Sequence, residues 1–154
     1  MMIRDLMRID LVYASTSGNV EIVCETVARI LRQKGFEIVL SRAEKTPIET
    51  IRKNKYFVFG TSTWEHGRLN PFFEKLFEEM KTLNFNSKQA AFVGLGDRRY
   101  ESVKFCEGIK QVLRLWLING GEKVGSPLLI QGEPYEQLDA VVKPWANSVA
   151  SNWS

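Results

Sequence analysis

Histidine and cysteine are scarce: one histidine, His66, and two cysteines, Cys24 and Cys106, stand among 154 residues. The two cysteines form neither a CxxC pair nor a metal-ligand spacing, and they read as reduced thiols. So few soft or imidazole ligands argue against a zinc site of His and Cys. A lone histidine with no evident nucleophile beside it gives no catalytic triad, and His66 reads as a surface loop residue. No apolar run approaches the roughly 18–20 residues that span a bilayer. The opening MMIRDLMRIDLVYAS is too charged, and its apolar part too short, for a secretory leader. The expected location is therefore cytoplasmic. A clustered basic stripe is also absent: 21 basic and 18 acidic side chains leave a net charge of +3 spread along the chain, which argues against nucleic-acid binding. Repeats, low-complexity segments and linkers are lacking too.

What is present is an ordinary globular composition, 44% hydrophobic and 25% charged, in a length that suits one domain. One domain is expected over residues 1–154 with its core in 7–150; Met7 stands directly before the first strand, and residues 1–6 read as an extension. Periodicity predicts strands at 7–14, 36–40, 56–60, 89–95 and 124–131, the last interrupted by Gly125 and Pro127. Helices are expected at 18–34, 47–53, 71–81, 104–119 and 134–150. In the first, Val20, Val23, Cys24, Val27, Ala28, Ile30 and Leu31 recur at helical spacing. Asn70–Pro71 marks a helix start, Asn as cap and Pro where a missing N–H costs nothing. In the fourth helix Phe105, Ile109, Val112, Leu113, Trp116 and Leu117 should face inward, and in the last Leu138, Val141, Val142, Trp145 and Val149. Five strands alternating with five helices imply an α/β fold, a parallel sheet covered on both faces.

Ligands of such sheets collect beyond the carboxyl ends of the strands. Three loops there are unusual. Ser15-Thr16-Ser17-Gly18-Asn19-Val20 leads hydroxyls, a glycine and an asparagine into a helix N-terminus, whose free N–H groups and dipole suit an anion such as a phosphate. It holds no Lys or Arg, so it is not a triphosphate P-loop, and it is not GxGxxG. Thr61-Ser62-Thr63-Trp64-Glu65-His66-Gly67 places a tryptophan in a polar loop, either packed on its own domain or stacked on a flat aromatic ligand. Gly94-Leu95-Gly96-Asp97-Arg98-Arg99-Tyr100 places a tyrosine in the same way.

On the segments LVYASTSGNVE, VFGTSTWEHGRLNPFF, AFVGLGDRRYE and FC, in that order and spacing, the chain resembles flavodoxins of the short-chain type from Met7 onward. The resemblance implies a doubly wound three-layer sandwich with a five-stranded parallel sheet of order 2-1-3-4-5. Flavodoxin is itself a standard example of that order, with FMN at the switch between strands 1 and 3. It implies a non-covalent FMN and low-potential transfer of one or two electrons between redox donor and acceptor proteins, by a monomer that is no enzyme. Ser15, Thr16, Ser17, Gly18, Asn19, Val20 and Ser62 would surround the phosphate, and Thr63 would lie near the ribityl chain. Trp64 would cover one face of the ring and Tyr100 the other. Asp97 and Cys106 would contribute mainly backbone groups to the pyrimidine end, and Leu95, Gly96 and Phe105 would also belong to the cofactor-binding set. Glu65, His66 and Gly67 would lie beside the ring, where the Glu65–His66 peptide would turn its carbonyl toward N5 on reduction. Two electron-rich rings and a poor dielectric would keep the potential low.

The sequence also departs from the family pattern. Val20 stands where threonine is usual; the backbone N–H remains, so binding should weaken by on the order of 1.5–3 kcal/mol at most. Glu65 stands where glycine or asparagine is common, and a side chain resists positive φ. The segment from Tyr100 to Cys106 is about two residues longer than the common pattern. Arg98 and Arg99 occupy a loop usually neutral or acidic, which suggests partners with acidic docking faces. From the enzyme class, a small FMN-dependent reductase or a flavodoxin-like activator of ribonucleotide reductase is the rival reading. A receiver-type signalling domain would need paired acidic residues after the first strand, and Tyr13–Ser15 supplies none.

Overall fold

A computed structural model describes residues 6–97 and 105–153. Its elements run β1 (Arg8–Ala14), α1 (Asn19–Gln33), β2 (Glu37–Arg42), α2 (Ile48–Lys53), β3 (Tyr56–Trp64), β4 (Arg68–Leu69), α3 (Pro71–Met80), β5 (Gln89–Gly96), α4 (Glu107–Ile118), β6 (Glu122–Lys123), β7 (Leu128–Gln131) and α5 (Lys143–Trp153). The main sheet is parallel in the order β2-β1-β3-β5, with β6 and β7 both on the far side of β5. β7 falls within the expected fifth strand, whereas β6 lies just before the expected range; Gly125, at φ 67° ahead of Pro127, stands between the two. Counted as one, they complete the order 2-1-3-4-5. β4 adds a two-residue antiparallel return against the end of β3.

The near-continuous apolar strands follow from burial on both faces, because successive side chains alternate between two cores. Ile9, Leu11 and Tyr13 of β1, Val58 of β3 and Val93 of β5 pack with α1 and α5. Val12, Ala14, Phe57, Phe59 and Phe92 pack on the other side with α3 and α4. That second core is aromatic. Trp116 stacks on Phe85 at 4.3 Å between centroids, meets Phe57 and Phe59 edge-on, and donates its indole N–H to the Glu122 carbonyl at 2.9 Å. Asp10, buried within the sheet, accepts from Arg8 Nη2 at 2.9 Å and from Asn54 Nδ2 at 2.9 Å, which satisfies a charge otherwise costly to bury.

All seven apolar residues expected inward on α1 are buried. Two expectations on later helices are corrected. Leu117 on α4 is exposed, because the buried stripe Ile109, Val112 and Trp116 has drifted past it by the last turn. Val141 is exposed while Val142 is buried: residues Leu138–Val142 form a π turn, whose extra residue per turn rotates the apolar face by one position. The closing helix correspondingly starts at Lys143, after a 3-10 turn at Tyr135–Gln137. Among the described residues no helix is long and apolar enough to cross a membrane.

Candidate functional site

The chain leaves β1 for β2 on one side and then crosses to β3 on the other, so the carboxyl ends of β1 and β3 mark the reversal of strand order. A cavity of about 310 Å³ opens there. The β1–α1 loop contributes Ser15, Thr16, Ser17, Asn19 and Val20; the end of β3 contributes Ser62 and Thr63; the end of β5 contributes Leu95, Gly96 and Asp97.

Local chemistry explains the first wall. Gly18 takes φ 91° and ψ −8°, a left-handed turn that glycine adopts freely, and its N–H donates to Ser15 Oγ at 3.1 Å. The chain therefore doubles back before α1 begins. Among the described residues no side chain caps α1. Its first-turn N–H groups, with the positive end of the helix dipole, lie beside the exposed hydroxyls of Thr16 and Ser17. Asn70 builds the second wall from beneath. Fully buried, it accepts from Phe72 N at 2.9 Å as the cap of α3 and donates Nδ2 to Ser62 Oγ at 2.9 Å. The Ser62 oxygen being an acceptor there, its proton is turned to other partners. Thr63 is fixed by α4: its Oγ1 accepts from Gly108 N at 2.9 Å, an approach that a side chain at Gly108 would block, since a Cβ would fall 2.6 Å from the Ser62 carbonyl.

Trp64, Glu65 and His66 are exposed and stand outside the cavity lining, on the return from β3 to β4. Trp64 is 41% exposed, so its indole is not absorbed by the core. The left-handed conformation expected to burden Glu65 falls instead on His66 (φ 57°) and on Gly67 (φ 75°). Histidine tolerates that region better than most side chains. The Gly67 carbonyl is held by Gln111 Nε2 of α4 at 2.7 Å. Phe105 and Cys106 are buried below the rim rather than lining the cavity. Cys106 comes so close to β5 that a Cβ on Gly96 would stand 2.9 Å from its nitrogen. Tyr100, with Arg98 and Arg99, lies outside the described residues.

Sequence reasoning missed three contributors. Gly132 and Glu133, following β7, close the cavity on the β5 side; Gly132 N donates to the Gly96 carbonyl at 2.8 Å, and Gln131 Nε2 to Asp97 Oδ1 at 3.2 Å. The QGEP segment is a glycine-bearing loop at a strand end, the same signal that marked the other three. The third is Arg42, at the end of β2, which reaches the Ser15 carbonyl with Nη2 at 2.6 Å. A neutral loop gave no hint of it. Among the described residues no cluster of His, Cys, Asp or Glu could hold a metal.

The donor set fits FMN. Neutral amides and alcohols lie beside a helix N-terminus at one end, and the exposed Trp64 directly follows Thr63, which lines the cavity. The family profile described as Flavodoxin matches residues 11–145. A flavodoxin of Nitratidesulfovibrio vulgaris is 30% identical over 144 residues, which cover 92% of this chain and 95% of that protein. A probable flavodoxin 2 of Bacillus subtilis is 29% identical, with 84% and 85% covered. Among solved structures, oxidised Flavodoxin 2 from Bacillus cereus superposes with a TM-score of 0.86 at 27% identity, over 94% of this chain and 98% of that one. The chain belongs to the flavodoxin family, the FMN-binding carriers of electrons that its strand-end loops resemble.

Proposed function

We propose that the cavity at the β1/β3 switch binds FMN with its phosphate on Ser15, Thr16, Ser17, Gly18, Asn19 and Val20, assisted by Ser62, and that Trp64 and Tyr100 cover the two faces of the ring. What supports this most is α1: a helix N-terminus that no described side chain caps, opening into a cavity walled by hydroxyls at the reversal of strand order. FMN, when bound, supplies the one- and two-electron chemistry. The protein's own contribution is to bind, orient and shield. Amide and hydroxyl hydrogens balance the phosphate charge without a cation in the loop. Thr63, held by Gly108, borders the ribityl chain, and Leu95, Gly96 and Asp97 form the pyrimidine end, with Phe105 and Cys106 packed behind Gly96. Glu65, His66 and Gly67 frame the ring edge, where Gln111 restrains the backbone from α4. An exposed edge beside Trp64 is where electrons pass to redox partner proteins, and Arg98 and Arg99 suit partners with acidic docking faces. The carrier acts as a cytoplasmic monomer and turns over no substrate of its own.

Titration of the apoprotein with FMN, followed by quenching of flavin fluorescence, checks the reading. Saturable 1:1 binding and flavin bands in the visible spectrum are expected. Trp64→Ala should weaken binding about 10- to 100-fold, matching the loss of roughly 1.4–2.8 kcal/mol of stacking and buried area. It should leave the apoprotein's melting almost unchanged, because the indole is not part of the core. Colourless protein that binds no FMN would refute the assignment, and oxidation of NADH with a quinone by the protein alone would favour an enzyme.

A further inference from the structure

The β1–α1 loop carries no cation, yet one stands directly behind it. Arg42 closes β2, opposite Tyr13 in the parallel register with β1. Its Nη2 donates to the Ser15 carbonyl at 2.6 Å, across 27 residues of sequence. The guanidinium is fixed from every other side: Nε on Glu44 Oε1 at 2.5 Å, Nη1 near Glu21 Oε2 at 3.9 Å, and its plane over the rings of Tyr13 at 5.5 Å and Phe72 at 5.9 Å. Its side chain is 29% exposed, and it does not line the cavity that Ser15 and Thr16 line.

The consequence follows from the geometry of one peptide. The Ser15 carbonyl and the Thr16 N–H belong to the same planar unit, trans here as everywhere in the described chain, and they point in opposite directions. A carbonyl drawn outward onto a cation therefore turns the Thr16 N–H inward, toward the cavity. The same contact withdraws an oxygen that would repel a phosphate, and the positive charge polarises the amide. Arg42 also faces Glu21, an acidic residue in the first turn of α1 whose charge would oppose an anion at that helix start; Tyr13 Oη donates to the other Glu21 oxygen at 2.9 Å.

We propose that Arg42 is a positioning residue for the FMN phosphate: from outside the cavity it holds the Ser15 carbonyl outward, aims the Thr16 N–H at the phosphate and offsets Glu21. This rests on the cavity's being the FMN site. Riboflavin, which has the same ring and ribityl chain but no phosphate, separates this role from general structural support. Arg42→Gln should weaken FMN binding by about tenfold or more while changing riboflavin binding by less than about twofold. Arg42→Lys keeps the charge but loses the fork that serves Ser15 and Glu44 together, so it should fall between the two. In the ¹⁵N-labelled apoprotein, inorganic phosphate should shift the Thr16 amide resonance in the wild type and not in Arg42→Gln. Equal losses for FMN and riboflavin in whichever variant folds would overturn the proposal, as would an unchanged FMN affinity in both variants. A wild type that binds neither flavin would remove the functional reading itself, and this inference with it.

Discussion

Tyr13 ends β1 with its ring in the core and its hydroxyl donating to Glu21 on α1. Burial, reinforced by that carboxylate, pushes the phenol from its ordinary 10 up to about 12. Between those values the unfolded chain has lost this proton and the folded chain keeps it, so stability falls as pH rises through the interval. The contribution is whole below pH 10 and gone above about 12. Chemical denaturation of the apoprotein from pH 9 to 12 should show this decline, and Tyr13→Phe should lessen it by on the order of 2 kcal/mol. A variant that declines as steeply as the wild type would remove Tyr13 as the cause. Residues of this kind reward attention because they support the site without touching the ligand: Tyr13 and Arg42 grip Glu21, Asn70 orients Ser62, and Gly108 admits Thr63.

Elements meet at the site through such residues. Asn70 joins two of them, capping α3 with its oxygen and orienting the end of β3 with its nitrogen. Serine at that position retains a capping oxygen but cannot reach Ser62 with an amide. Asn70→Ser should therefore cost the apoprotein less than about 1 kcal/mol through the cap, while FMN binding weakens several-fold. Asn70→Ala should lose both. Equal FMN affinity in Asn70→Ser and the wild type would reduce Asn70 to a helix cap. The Asn70–Pro71 pair marked the start of α3 plainly in the sequence, whereas its partner on β3 was invisible, because that contact depends on the antiparallel return through β4. Gly60 shows the same dependence on tertiary packing. A Cβ there would stand 2.7 Å from Cys24 Sγ, so the glycine in β3 is the space into which α1 packs.

For the whole molecule, the proposed steering of acidic partners by charge is open to direct test. The net charge is +3, and Arg98 and Arg99 follow β5 in sequence, outside the described residues. A positive charge about 10 Å from the flavin, at an effective dielectric of about 40, would favour the reduced anionic cofactor by roughly 0.8 kcal/mol, or about 35 mV. Arg98→Glu/Arg99→Glu should lower the midpoint potential by more than that at low salt, and the effect should shrink as the Debye length contracts. An unchanged potential at low salt would remove the arginines from the account. The same substitution should slow association with an acidic redox protein, and the wild-type rate should fall with ionic strength.

Local chemistry was enough to determine the alternation of strands and helices, the inward stripe of α1, the start of α3 and the strand-end loops after β1 and β3. Each of these is set by neighbours within a few residues: periodicity, caps and turn glycines. Phase along α5 was not legible, because the π turn at Leu138–Val142 shifts the buried face by a residue while leaving the apolar pattern ambiguous. The strand order came from resemblance, since alternation alone admits several right-handed windings. Only the tertiary structure could decide that Gly132 and Glu133 wall the cavity, that the left-handed strain falls on His66, and that Arg42 stands behind Ser15. Those contacts join strand ends far apart in sequence, and parallel pairing across the sheet is what brings them together.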